Sequence, residues 1–294
     1  MPTITERAQK KSPALRKDEP SESAADLNNR LVAALRTYDG LSIAVSGGID
    51  SMTLAYIAHR FSSKSVNMVH ALSPAVPVEA TMRIKEYAAR EGWNLSLVDA
   101  GEFSDPSYRA NPVNRCYFCK SNLYDRIGGL SSGVIASGTN VDDLGDFRPG
   151  LKAAAERNVV HPFVEARISK NGIRELARMH GLTDIAELPA QPCLSSRVET
   201  GIHIDADDLA FIDAAERHLR AHAPAGANVR CRLTRNGIVL EAGGASDLNL
   251  DHLAQLAGVF CKEAGRDFAG ARPYRQGSAF LQKAGQSDDA VARN

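Results

Sequence analysis

Short apolar runs alternate with stretches of helical periodicity through the first two hundred residues. A run of about four to eight apolar residues predicts a buried strand, whereas apolar residues recurring every three or four positions predict an amphipathic helix. The predicted strands lie at 41–45, 65–72, 94–98 and 134–137, and the clearest helices at 27–35, 78–91 and 170–179. Strands and helices alternating at this spacing predict right-handed crossovers, and therefore an α/β fold with a doubly wound parallel sheet.

The pattern changes at about residue 200, where a smaller C-terminal α/β domain is predicted. Its elements are a helix at 205–221, strands at 228–234 and 238–242, a helix at 247–264 and a strand near 266–269. The first 24 residues are rich in Lys, Glu, Ser and Pro with little apolar periodicity, which predicts a disordered tail. The predicted boundaries are therefore a tail at 1–24, domains at 25–199 and 200–282, and a polar tail at 283–294.

Two further features are predicted between the fourth strand and residue 199. The run Val159–Phe163 resembles a strand, with a helix on either side. Ser169 has the side chain of an N-cap for the helix at 170–179, and Gly181 is suited to ending that helix.

The first strand runs into the hexapeptide SGGIDS at 46–51, directly before a helix. A strand, a glycine-rich turn and a helix together point backbone N–H groups and a helix N-terminus at an anion. No Lys-Ser or Lys-Thr pair follows the glycines, which excludes the usual P-loop of GTPases and kinases. The hexapeptide resembles the pyrophosphate-binding loop of the PP-loop ATP pyrophosphatases, and the alternative is a structural turn with an N-capping serine. The candidate ATP-binding residues are Ser46, Gly47, Gly48, Asp50 and Ser51.

Other candidate ATP contacts follow neighbouring strands. Ligands of doubly wound sheets bind at the carboxyl ends of the strands. His70 ends the second strand, and Gly138, Thr139 and Asn140 follow the fourth. We therefore assign these four residues to the same site. The polar side chains from Asn140 to Asp143 are suited to ribose, to magnesium or to the turn itself, and a capping role is an equally good interpretation for the two aspartates.

The overall charge gives no electrostatic basis for binding a nucleic acid or a membrane surface. Lys and Arg number 35, Asp and Glu also number 35, and the formal net charge is zero. No apolar run approaches the roughly 18 residues that a membrane span needs, and no signal peptide is visible. We therefore expect a cytoplasmic protein.

Five cysteines in a chain without an export signal favour thiol or metal chemistry over a disulfide framework. Cys116 and Cys119 are three apart, so on a helix they would share a face near its start, where the helix dipole favours thiolates. Cys193 lies in a proline-containing loop, PAQPCLSSR. The single CxxC is compatible with zinc, a redox dithiol, an iron–sulfur cluster or plain packing. Cys231 and Cys261 are predicted to be core residues.

Arg230 and Arg232 lie two apart on a predicted strand, so their side chains project from one face. Paired guanidinium groups suit a phosphate or a carboxylate. From the residues alone, a solvated strand face is an equally good interpretation.

Taken in order, these motifs resemble the LarE family over residues 27–281, nearly the whole folded chain. The motifs are SGGIDS, NRCYFCK, GTNVDDLGDFRPGLKAAAE, PCLSSR, VRCR and RPYRQGS. LarE proteins are PP-loop sulfur transferases that make the pincer cofactor of lactate racemase. The resemblance implies an adenine nucleotide alpha hydrolase-like fold, adenylation of pyridinium-3,5-biscarboxylic acid mononucleotide by ATP, and replacement of the adenylate by sulfur to give thiocarboxylates. It also implies a homo-oligomer.

The resemblance assigns roles residue by residue. Cys193 matches the family's sulfur-bearing cysteine, Arg230 and Arg232 match the pair that binds the substrate phosphate, and Ser196 and Arg197 lie in the substrate region. Cys116 and Cys119 are similar to those of three-cysteine members, in which a [4Fe-4S] cluster carries an extra sulfide.

Three thiolates leave one iron of such a cluster free for hydrosulfide. The alternatives are a sacrificial Cys193, which becomes dehydroalanine, and zinc, which would need a fourth ligand such as His161.

The implied adenylation also suggests roles for two charged side chains. Asp50 is the candidate magnesium ligand. Lys120 is placed to stabilise departing pyrophosphate, although a salt bridge on the helix surface is the simpler interpretation.

Competing functions are a PP-loop tRNA thiolase, for which the zero net charge is unfavourable, an amide-forming synthetase of the NAD synthetase kind, and a non-catalytic iron–sulfur or nucleotide sensor. Pyrophosphate release that depends on the biscarboxylate substrate would exclude the sensor.

Overall fold

A computed structural model describes residues 22–130, 133–145 and 148–275. The predictions for residues 1–21 and 283–294, and the last three residues of RPYRQGS, lie outside this range. The elements of the N-terminal unit are α1 (Ala24–Leu35), β1 (Leu41–Ala44), α2 (Ile49–Phe61), β2 (Val66–Ala71), α3 (Val78–Glu91), β3 (Asn94–Val98), α4 (Pro106–Arg109), α5 (Arg115–Gly128), β4 (Val134–Ala136), α6 (Pro149–Glu156), α7 (Pro162–Glu165), α8 (Lys170–Met179) and α9 (Thr183–Ala186).

The four strands of this unit form a parallel sheet in the order β3-β2-β1-β4. Every residue of β1 is buried, as expected for a strand covered on both faces. The chain moves outward from β1 to β3 and then returns to pair β4 with the other side of β1. The strand order therefore reverses between β1 and β4, the point at which sheets of this kind bind ligands.

Helices α1, α2 and α8 cover one face of the sheet and provide most of the main core, which includes Ile43, Met68 and Ile173. Ser169 caps α8 by accepting a hydrogen bond from the backbone of Gly172. Gly181 follows the helix with φ 71°, the left-handed conformation that glycine adopts most easily. Both predicted ends of this helix are confirmed.

The C-terminal unit comprises α10 (Ala206–Arg220), β5 (Asn228–Thr234), β6 (Gly237–Gly243), α11 (Leu250–Glu263) and β7 (Phe268–Pro273). Strands β5 and β6 are antiparallel, whereas β6 and β7 are parallel. The predicted fold class, a parallel α/β sheet with a smaller C-terminal α/β unit, is confirmed.

Two local predictions were wrong. The run Val159–Phe163 is not a strand: Val160 forms one isolated bridge with Ala136, and the proline at 162 begins α7, where its missing N–H costs nothing. The last strand lies further along the chain than 266–269, because β7 begins only at Phe268. In the part of the chain that the structure describes, no helix is long and apolar enough to cross a membrane.

Candidate active site

The hexapeptide at 46–51 forms a tight turn between β1 and α2. Gly47 has φ 79°, and a Cβ on it would lie 2.8 Å from the Cβ and the carbonyl oxygen of Ala80. Gly48 has an ordinary φ of −81°, and a Cβ there would meet only Ser46 Oγ, at 3.7 Å. Packing against Ala80 therefore explains why residue 47 is glycine, whereas there is open space beside Gly48.

The serines of the turn bond to each other. Ser51 Oγ accepts from the Ser46 backbone N–H at 3.0 Å and lies 3.1 Å from Ser46 Oγ. No side chain caps the N-terminus of α2. An uncapped helix N-terminus with open space beside Gly48 is an arrangement that suits an anion.

The turn after β4 packs directly on this loop. A Cβ on Gly138 would lie 2.7 Å from the Ser51 backbone nitrogen, so only glycine fits. Ser137 Oγ lies 3.0 Å from Thr139 Oγ1 and 2.9 Å from His161 Nδ1. The two predicted rim segments therefore lie together, and His161 belongs to the turn after β4.

The polar residues after Gly138 hold their own backbone. Asn140 Oδ1 accepts from the Asp142 backbone N–H at 3.0 Å, and Asp143 Oδ2 accepts from the Asn140 N–H at 3.1 Å. Asp143 also forms an ion pair with Arg148 at 2.8 Å. Asp142 Oδ2 accepts from the Lys170 backbone N–H at 2.8 Å. The capping interpretation therefore accounts for both aspartates in this structure.

Asp50 meets a cation that the sequence analysis missed. Lys170 Nζ donates to both carboxylate oxygens of Asp50, each at 2.6 Å. Burial raises the pKa of the Asp50 carboxyl, while the Lys170 ammonium acts in the opposite direction. Arg83 also approaches the loop and donates to the Gly47 carbonyl at 2.7 Å. These two cations are 87 residues apart in sequence, so no local motif could have identified them.

The His70 ring is enclosed by the protein. Nδ1 lies 2.9 Å from the Val45 carbonyl oxygen, and Nε2 lies 2.9 Å from Thr81 Oγ1. Burial lowers the pKa of the imidazole. In this structure the ring ties the end of β1 to α3, and the role of His70 in ATP binding remains a prediction.

Cys116 and Cys119 lie on the first turns of α5, as the spacing predicts. Burial raises the pKa of both thiols, that of Cys119 to about 12. The expectation that the helix start favours thiolates is therefore wrong, because desolvation outweighs the nearby cations. Each of these two thiols lies near enough to Cys193 for a charge on Cys193 to raise its pKa further.

Lys120 is not the surface salt bridge of the simpler interpretation. Its ammonium lies 5.6 Å from the centre of the Tyr124 ring, and it forms no ion pair within the described residues. Tyr124 has the largest effect in raising the pKa of this ammonium, and the three cysteines raise it further. Lys120 is therefore a positive charge beside the thiols.

The loop that carries Cys193 is held from two sides. The Leu194 backbone N–H donates to the Ala75 carbonyl at 2.8 Å. The next residue, Ser195, lies 2.6 Å from the hydroxyl of Tyr108, and both side chains are buried. Ala75 precedes α3, so this loop and the loop at 46–51 contact the same short segment at the carboxyl edge of the sheet.

Arg197 is enclosed beneath the cysteine loop. Its guanidinium forms a two-pronged ion pair with Glu216, at 2.9 and 3.1 Å. It also donates to Ser196 Oγ and to the carbonyls of Pro192 and Cys193. Arg197 therefore shapes the backbone around Cys193, while its direct contact with substrate remains a prediction, as does that of Ser196.

Arg230 and Arg232 project from the same face of β5, while Cys231 lies on the other face in the core. The interpretation of a solvated strand face is wrong, because Arg230 is only 7% exposed. Arg232 pairs with the buried Glu241 at 2.5 Å.

The carboxylates around these arginines are outnumbered. Arg197, Arg220 and Arg230 lie around Glu216, at distances of 2.9, 3.3 and 4.0 Å. Arg272 is a second partner of Glu241, at 2.7 Å. Arg220 also pairs with Glu79 at 3.2 Å, so among the described residues these five arginines share three carboxylates, an excess that suits an anionic ligand.

Asn111 joins the CxxC helix to the segment after Cys193 and was also missed. It has φ 52° and is fully buried. Its side-chain nitrogen donates to the carbonyls of Val198, Glu199 and Ile202 at 3.4, 2.9 and 3.0 Å, and its oxygen accepts from Arg115.

The remaining cysteines, Cys231 and Cys261, are buried in the core of the C-terminal unit, as predicted. Among the described residues, no group of three or more His, Cys, Asp or Glu side chains is arranged to hold a single metal ion.

No family model matches the chain. It is similar to an uncharacterised protein of Synechocystis, with 39% identity over 186 residues, which cover 62% of this chain and 69% of that protein. It is 31% identical over 196 residues to the pyridinium-3,5-bisthiocarboxylic acid mononucleotide synthase of Lactiplantibacillus plantarum, with 65% of this chain and 71% of the synthase covered. An uncharacterised protein of Methanocaldococcus jannaschii is 29% identical over 192 residues, which cover 64% of this chain and 72% of that protein.

Proposed function

The chain belongs to the LarE family, that of the pyridinium-3,5-bisthiocarboxylic acid mononucleotide synthases, and from this premise we propose that it is an ATP-dependent sulfur transferase. Its substrate is pyridinium-3,5-biscarboxylic acid mononucleotide, whose carboxylates it adenylates and converts to thiocarboxylates. One observation carries the proposal: the loop at 46–51 contacts Ala80 and the Cys193 loop contacts Ala75. These contacts support the proposal, because a group activated at the first loop would be near the loop that carries Cys193.

Activation draws on the loop and its cations. The uncapped N-terminus of α2 and the space beside Gly48 suit the phosphates of ATP. Asp50 would hold magnesium, which neutralises phosphate charge when bound. Both oxygens of Asp50 face Lys170 in this structure, and its side chain is partly exposed, so the carboxylate is accessible to an ion that displaces the ammonium.

Sulfur transfer draws on the three cysteines. They interact electrostatically with one another, are partly exposed and carry no disulfide. This donor set fits a [4Fe-4S] cluster ligated by Cys116, Cys119 and Cys193, which would supply an iron-bound sulfide as the nucleophile. Burial keeps the thiols of Cys116 and Cys119 protonated, so iron binding must release protons and should be favoured at higher pH.

The arginines of β5 suit the substrate phosphate. Arg230 and Arg232 lie on one face, and Arg232 donates to the Ser196 carbonyl at 2.9 Å, next to the cysteine loop. Burial lowers the pKa of Arg230 because it disfavours the charged guanidinium. A bound anion would stabilise that charge. A phosphate held here would bring the substrate to the loop that carries Cys193.

Anaerobic purification tests the proposal. We expect a brown protein that releases pyrophosphate only when the biscarboxylate substrate is present. Iron and acid-labile sulfide should be lost in Cys116→Ala, Cys119→Ala and Cys193→Ala, because each removes one cluster ligand. Cys261→Ala is the matched control and should keep both, since that thiol lies in the core of the C-terminal unit.

Two outcomes would contradict parts of the proposal. A colourless, iron-free protein that remains active and loses the Cys193 sulfur, seen as dehydroalanine by intact mass, would establish the sacrificial reaction instead. Pyrophosphate release at the same rate with and without the biscarboxylate would show that this compound is not the substrate.

A further inference from the structure

A lysine from late in the N-terminal unit reaches the loop at 46–51. Lys170 is the first residue of α8, and its ammonium donates to both oxygens of Asp50 at 2.6 Å. The side chains of Lys170 and Asp50 are 32% and 29% exposed, so both remain accessible from the edge of the sheet.

The backbone of Lys170 is fixed to the wall of the site. Its N–H donates to Asp142 Oδ2 at 2.8 Å, and the preceding turn is held by the Val141 N–H, which donates to the Ile168 carbonyl. The turn that carries Asp142 packs on Ser51 through Gly138. The lysine therefore has a rigid base on the turn that borders the loop.

The charges explain why a cation is needed here. Asp50 is the second residue of α2, so its carboxylate lies beside the N–H groups that would otherwise receive an anion. An unpaired carboxylate at this point would repel phosphate. The loop also lacks the lysine that usual P-loops carry after their glycines, whereas α8 brings the ammonium of Lys170 to Asp50 within the loop.

We propose that Lys170 is a phosphate-binding residue of the ATP site, with Asp50 as its counter-ion in the absence of nucleotide. The inference rests on the proposed use of ATP. On adenylation, a carboxylate oxygen of the substrate bonds to the α-phosphorus, the bond from that phosphorus to the bridging oxygen breaks, and pyrophosphate leaves with the electron pair. Lys170, after leaving Asp50, carries a positive charge that stabilises the departing pyrophosphate.

Calorimetric titration with ATP and with magnesium-free pyrophosphate tests the inference. Lys170→Met should weaken the binding of both by about 10- to 100-fold, the effect of losing a charged hydrogen-bond donor. The matched control is Lys152→Met, since Lys152 is exposed on α6 and pairs only loosely with Glu156, at 3.9 Å. The control should bind both ligands as the unchanged protein does.

A second pair of variants separates binding from folding. Lys170→Met leaves the Asp50 carboxylate without its partner, whereas Asp50→Asn with Lys170→Met leaves no unpaired charge. Against Asp50→Asn alone, the double variant should bind pyrophosphate about 10- to 100-fold more weakly and melt at a similar temperature. Equal affinities in this pair would overturn the role of Lys170. If the unchanged protein bound neither ATP nor pyrophosphate, the proposed function would itself be overturned.

Discussion

Glu216 pairs with Arg197, the side chain that holds the backbone around Cys193. It is 1% exposed and accepts from Arg197, from Arg220 and from the Cys231 backbone N–H, with Arg230 at 4.0 Å. A buried carboxylate surrounded by arginines compensates charges that would otherwise be costly to bury. Its removal would release Arg197, which holds the carbonyls of Pro192 and Cys193.

We therefore expect Glu216→Gln to lower the free energy of unfolding by about 3 kcal/mol, because it leaves buried guanidinium groups without a counter-charge. Urea unfolding measures the change. Glu199→Gln is the matched control, since Glu199 pairs with Arg235 at 3.7 Å on the surface and should cost about 0.5 kcal/mol or less. Equal losses in the two variants would show that the buried pair adds nothing.

At the scale of elements, the two glycines of the strand–turn–helix at 41–61 differ, since packing requires one and the other borders the proposed phosphate site. Gly47 has a positive φ and lies against Ala80, so its role is to let α3 approach the loop. Gly48 has neither constraint. Two neighbouring glycines therefore predict two different mutant phenotypes.

Gly47→Ala should lose about 1 to 3 kcal/mol of stability, because the new Cβ meets the α3 backbone in an unfavourable conformation. Gly48→Ala should lose about 1 kcal/mol or less but weaken ATP binding by about tenfold or more, because its methyl group would occupy the space beside the helix N-terminus. Thermal melts and calorimetric titration on both variants give the comparison. A Gly48→Ala protein with unchanged ATP affinity would show that phosphate does not lie against this residue.

Much of the local structure could be predicted from sequence, because neighbouring residues determine it. The apolar run of β1, the hexapeptide and the CxxC spacing each specify a conformation within a few residues. The partners of these motifs come from distant positions: Lys170 reaches Asp50 across 120 residues. The raised pKa of Cys119 also depends on burial, which spacing does not reveal. Periodicity likewise gave a strand at Val160, where the proline at 162 begins a helix instead.

At the scale of the whole molecule, the two units share structure near the cysteines. The core of the C-terminal unit includes Ala75 and Tyr108 from the N-terminal unit, and Cys119 and Cys193 pack against it. A backbone hydrogen bond also links the two units, since the Ile204 N–H donates to the Arg109 carbonyl at 2.8 Å. Cys119 and Cys193 thus lie where the units meet, so the geometry of the proposed sulfur site depends on how the units are held.

Asn111 provides the central polar contact there, through three carbonyls of the segment after Cys193. Asn111→Gly keeps the positive φ accessible but loses those bonds, so unfolding should become about 2 to 3 kcal/mol easier, and bound iron per protein should fall as the Cys193 loop separates from α5. Asn111→Ala should lose more stability, because alanine also opposes that φ.

The unfolding of these variants can be followed by two signals. The single tryptophan, Trp93, lies in the core of the N-terminal unit, so its fluorescence follows that unit while circular dichroism follows both. Asn236→Ala, at the exposed β5–β6 turn, is the control and should leave stability and iron content unchanged. If Asn111→Gly matched that control in both measurements, the contacts of Asn111 would not be what holds the cysteines together.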